Sequence, residues 1–95
     1  MQYLVIAYDY EDALDKRMEN RPAHVEATQK LMGEGKIVSA CALIEEDKMV
    51  GSSVLTNFDS EEEFEAWLEN EPYVKGKVWN LDEIQIVSAK AMPRS

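Results

Sequence analysis

Residues 36–58 read KIVSACALI, EEDK, MVGSSVLTNF: two apolar, β-branched runs on either side of the polar turn Glu45-Glu46-Asp47-Lys48. Branched and aromatic side chains suit a pleated surface, and clustered charges interrupt one. Residues 36–44 and 49–58 are therefore read as strands. So short a connection between neighbouring strands makes them antiparallel. What flanks this central hairpin then decides the fold.

On its N-terminal side, QYLVIAY (residues 2–8) has the profile of a strand that ends at Asp9, Glu11, Asp12 and Asp15. Leu4, Ile6 and Tyr8 alternate with Tyr3, Val5 and Ala7, so both parities are apolar, and such a strand is covered on both faces. Pro22 suits the first turn of a helix, Val25, Thr28, Leu31 and Met32 recur at helical spacing, and Gly33 and Gly35 close it. A helix over residues 21–34 is predicted.

On the C-terminal side, Asp59 and Ser60 each have a glutamate three residues on, Glu62 and Glu63, which is the pattern of a capped helix start. Phe64, Trp67 and Leu68 form its apolar stripe, and Pro72 lies just past its end. A broken final strand is readable in Val78-Trp79-Asn80-Leu81 and Ile84-Gln85-Ile86-Val87, followed by a polar tail ending Pro93-Arg94-Ser95. The order β-α-β-β-α-β is the ferredoxin-like pattern, an α+β fold whose four-stranded antiparallel sheet carries both helices on one face. Two helices cover one face only, so the apolar second face is expected to meet another copy of the chain in a homodimer.

Composition narrows the function. Ninety-five residues make a single domain, 1–95, with no room for a separate cofactor domain. Nineteen acidic against ten basic side chains give a net charge of −9, the wrong sign for nucleic acid or an anionic membrane surface. No apolar run approaches the roughly 18 residues of a membrane span. With the single cysteine, Cys41, and no signal-peptide pattern at Met1-Gln2-Tyr3, the chain reads as cytoplasmic. Cys41 itself, mid-strand, reads as a small core residue. No Gly-rich phosphate loop or nucleophile elbow is present, and no cofactor is expected.

One histidine excludes any multi-histidine metal site and leaves His24 as the one side chain that ordinarily exchanges protons near neutral pH. It falls in the first turn of the predicted helix, bordering the face that carries Ala27, Thr28 and Leu31. From the residues alone it is either a hydrogen-bonded core-edge histidine or an acid–base group. Glu71, in Asn70-Glu71-Pro72-Tyr73, offers an orienting acid, and Arg21 and Tyr73 offer contacts to an anionic or carbonyl-bearing ligand. Each also has an ordinary surface role open to it.

Lys16-Arg17-Met18-Glu19-Asn20-Arg21-Pro22-Ala23-His24, Leu31 to Gly35, Glu65-Ala66-Trp67 and Glu71-Pro72-Tyr73-Val74 together resemble the YciI-like (YCII-related) family, in matching order along nearly the whole chain. The resemblance implies a dimeric α+β barrel in which two sheets pack face to face. It also implies a histidine–acid pair, His24 and Glu71, lining a small pocket with Tyr73 as the motif aromatic. A relative in that family removes chloride from a hydroxylated aromatic ring. Here the motif aspartate is Glu71, one methylene longer, and the Gly-Pro usual after the second strand is Cys41-Ala42. The expected activity is acid–base chemistry on a small oxygenated compound by elimination, isomerisation or a lyase step. The alternative is a metabolite-binding or structural dimer module.

Overall fold

In the computed structural model, which describes residues 1–93, the central hairpin is formed by β2 (Ile37–Glu45) and β3 (Lys48–Asn57). Its two turn residues, Glu46 and Asp47, have φ of 49° and 65°, the left-handed pair whose twist matches that of the flanking strands. β1 (Gln2–Tyr8) lies between β3 and the short β4 (Gln85–Ser88), giving the antiparallel order β2-β3-β1-β4. This is the ferredoxin-like α+β arrangement.

The register sorts side chains into two layers. Val5 pairs with Val54 and Ala7 with Ser52, and all four are buried beneath the helices α1 (Leu14–Gly33) and α2 (Glu61–Asn70) and the single turn α3 (Pro72–Lys75). Ile37, Phe58, Phe64, Tyr73, Val78 and Trp79 complete that core. Leu4, in register with both Leu55 and Val87, belongs to the opposite face, with Ile6 beside Ser53. Among the described residues no helix covers that face.

α2 begins as its sequence dictates. The Ser60 hydroxyl accepts the Glu63 N–H at 3.1 Å, three glutamates occupy the first turn where the helix dipole favours them, and Phe64 and Trp67 pack with Phe58 at centroid distances of 5.7 to 6.4 Å.

Three expectations need correction. α1 starts at Leu14, so Pro22 lies inside the helix and His24 near its middle, not in its first turn. The stripe that α1 buries begins with Arg17, a charged residue that gives no apolar periodicity before Val25. Arg21, Pro22 and Ala23 are exposed, and Pro22 has no N–H to give the carbonyl of Met18 one turn back.

The final strand is limited to Gln85–Ser88. Val78 and Trp79 are buried, but among the described residues their only ladder contact is a single bridge from Trp79 to Asp9. The Asn80 side chain then accepts the Asp82 N–H at 3.0 Å, a local turn that competes with continued pairing.

Cys41 is exposed, not core. It pairs with Ser53, which places it on the face without helices. Arg94 and Ser95 of the polar tail lie outside the described residues.

Candidate functional site

The cavity-facing stripe of α1 runs from buried Arg17 through exposed Arg21 and part-buried His24 to buried Thr28, at spacings of four, three and four that keep all four on one helical face. Arg17 is only 2% exposed. Its Nη1 donates to both oxygens of Asp9 at 2.9 and 3.1 Å, and its Nη2 donates to the Ser52 hydroxyl at 2.7 Å. The Trp79 indole N–H reaches the same hydroxyl at 3.2 Å. Asp9 at the end of β1, Ser52 on β3 and the Trp79 segment are thus gathered around one guanidinium. Burial holds the Asp9 carboxyl above the usual carboxylate range even with the guanidinium opposing the shift, so desolvation is the dominant influence on that carboxyl.

Glu71 joins α2 to α3. Its extended backbone ends one helix, and its side chain caps the next by accepting the Tyr73 N–H on Oε1 at 3.0 Å, with Pro72 at the first helical position. This capping role explains how a carboxylate can be 2% exposed. The extra methylene relative to aspartate is taken up as the side chain turns back over its own helix start. The same Oε1 lies 2.6 Å from His24 Nδ1. Oε1 already accepts a backbone N–H, so this geometry is compatible with a neutral ring that donates from Nδ1 and carries its lone pair on Nε2.

Tyr73 links the two halves. Its ring stacks on His24 with centroids 4.0 Å apart and planes within 15°, and the Arg17 guanidinium lies 4.6 Å from the same ring centroid. Burial raises the Tyr73 hydroxyl above its ordinary range, with Arg17 and Arg21 opposing. That keeps the phenol neutral.

His24, Arg17, Arg21 and Thr28 form one wall of a cavity of about 230 Å³, with Tyr73 beside them and Ala40, Ala42 and Val54 of the sheet opposite. Ligand pockets for drug-sized molecules run to about 300–1,000 Å³. This cavity suits a compound of one ring or a few carbons. Glu71 does not line it and stands behind His24. A larger groove, about 490 Å³ between the Tyr10–Lys16 segment and Trp79, contains neither His24 nor Glu71.

The four residues singled out from sequence therefore come together: His24, Tyr73 and Arg21 at the cavity, and Glu71 against the histidine. Sequence reading gave no site role to Arg17, Asp9 or Ser52, and placed Thr28 only in the buried stripe of the helix. A charged or hydroxyl residue in a polar stretch carries no signal of its burial; the one hint was that Arg17 lies seven residues, two helical turns, before His24. Among the described residues no group of three or more His, Cys, Asp or Glu is placed to hold a metal ion, and no helix is long and apolar enough to cross a membrane.

The YCII-related domain model matches residues 1–87. The protein YciI of Escherichia coli O6:H1 is 35% identical over 86 residues, covering 83% of this chain and 88% of its own length. The aspercryptin biosynthesis cluster protein B of Emericella nidulans is 27% identical over 94 residues, covering 90% of this chain and 60% of that protein. Among solved structures, 5-chloro-2-hydroxyhydroquinone dehydrochlorinase (TftG) from Burkholderia phenoliruptrix AC1100, in complex with 2,5-dihydroxybenzoquinone, superposes with a TM-score of 0.81 at 22% identity, over 95% of this chain and 94% of that one.

Proposed function

Because the chain belongs to the YCII-related family, we propose that it is a cofactor-independent enzyme acting on a small oxygenated organic compound, with His24 as general base and acid. Glu71 accepts from Nδ1, fixes the tautomer and stabilises the imidazolium that forms when Nε2 takes a proton. Arg21 and Tyr73 contact the substrate. The observation that carries this reading is the 2.6 Å contact between a capping, buried carboxylate and a histidine that lines the cavity. The dehydrochlorinase complex with a dihydroxybenzoquinone supports an elimination or isomerisation on a compound of that size.

Proton abstraction is detectable without knowledge of the net reaction. In D₂O, the protein is expected to accelerate exchange of carbon-bound hydrogen next to a carbonyl in 2,5-dihydroxybenzoquinone or a simple keto acid. His24→Asn abolishes the effect. Binding without any acceleration would replace the enzyme with a metabolite-binding module.

The working unit is proposed to be a homodimer joined through the open sheet face. Leu4, Leu55 and Val87 lie in one row across that face, and Tyr8 is in register with Gly51, itself opposite Leu43. Val87 is 47% and Tyr8 41% exposed in the single chain. Stable interfaces bury about 800 Å² per partner. Sedimentation at micromolar concentration should show a dimer, and Leu55→Lys should shift it toward monomer. A wild-type monomer under those conditions contradicts the assembly.

A further inference from the structure

Among the described residues, two buried side-chain polar atoms have no hydrogen-bond partner, Arg17 Nε and Thr28 Oγ1, and both residues line the same cavity as His24. Buried polar groups are normally satisfied, because an orphan forfeits the hydrogen bond it had with water. A threonine inside a helix ordinarily relieves this by bonding the carbonyl one turn back, here that of His24. Thr28 does not, although it is only 6% exposed. Two such orphans on one cavity wall, on either side of His24 along α1, mark groups left for something that enters the cavity.

We infer that Thr28 is a specificity-determining residue whose hydroxyl bonds a second oxygen of the ligand, one that projects away from the Arg17–Arg21 end. The ligand class is then a single-ring or similarly small compound with at least two oxygen substituents, one at the cationic end beside His24 and one at Thr28. Ala40, Ala42 and Val54 offer the body of such a molecule an apolar stretch of wall, Gln29 and Cys41 lie at the same cavity, and the Ser52 hydroxyl on the sheet already accepts from Arg17 and Trp79. Rotation about χ1 carries the threonine hydroxyl from one staggered position to another, a movement that can turn the oxygen toward the cavity Thr28 lines. This inference rests on the cavity being the ligand site, as set out under Proposed function.

The test is calorimetric binding of catechol, hydroquinone and phenol to wild type, Thr28→Val and Thr28→Ser, with the His24 ring followed by NMR. The single oxygen of phenol goes to the charged end, where hydrogen bonds are stronger. Wild type is expected to prefer the two-oxygen rings. Thr28→Val should weaken them by about 5–10-fold, the worth of one hydrogen bond, leave phenol unchanged, and melt no lower than wild type. Thr28→Ser should keep the preference. A Thr28→Val protein that retains the preference, or that melts lower with affinities unchanged, overturns the assignment and makes the hydroxyl structural. Failure of all three compounds to bind wild type, with the His24 signals unmoved, overturns the cavity as ligand site and this inference with it.

Discussion

Asp9→Ala is expected to lower the folding stability by about 3–5 kcal/mol, the loss typical of removing one partner from a buried ion pair. Arg17 and the Asp9 side chain are 2% and 6% exposed, so the mutation leaves a guanidinium in the core with only Ser52 to take its charge-bearing N–H groups. For a domain of this size the melting temperature should fall by roughly 15–30 °C, from a total stability that is itself on the order of 5–15 kcal/mol. The cost comes from the unpaired charge more than from any net gain in the pair, since burial already holds the Asp9 carboxyl above its ordinary range. The double variant Asp9→Ala/Arg17→Leu is therefore expected to recover most of the loss. Thermal and urea melts of the two single variants and the double variant check this. Additive losses in the cycle would show that the two side chains act independently.

His24→Asn is expected to lower kcat/KM for the proton-transfer step by about 10²–10⁴-fold, the usual contribution of a general acid–base group. The asparagine amide still offers a donor near the position of Nδ1, so Glu71 keeps a partner while the nitrogen corresponding to Nε2 is lost. Fold and dimer should survive, and ligand affinity should change far less than rate. A comparable loss in KM with kcat intact would make His24 a binding group.

Much of the fold was legible because its signals are local. Alternation in residues 2–8, 36–44 and 49–58, and the Ser60 cap followed by Phe64 and Trp67, need no knowledge of distant chain, and each lies within a residue or two of where it was placed. The start of α1 was missed because its first buried residue is Arg17, whose burial depends on partners 8 and 35 positions away. The capping turn at Glu71 was equally hidden: Pro72 read as a stop to α2, whereas it also opens α3.

For the site, His24 stood out by being alone of its kind, and Glu71, Tyr73 and Arg21 by their motif. Their proximity could not be read, because the contact joins residues 47 apart and depends on Glu71 turning back to cap its own helix. Cys41 shows the converse. An apolar strand residue was taken for core, yet it lies on the face left open in the single chain.

The central claim is that Glu71 holds the His24 proton on Nδ1 and leaves Nε2 free to act. Long-range ¹H–¹⁵N NMR of the ligand-free protein, at a pH where the ring is neutral, reads this directly. The expected result is the Nδ1–H tautomer in wild type, lost in Glu71→Ala. A wild-type ring protonated on Nε2, or one whose tautomer is unchanged by Glu71→Ala, would contradict the claim.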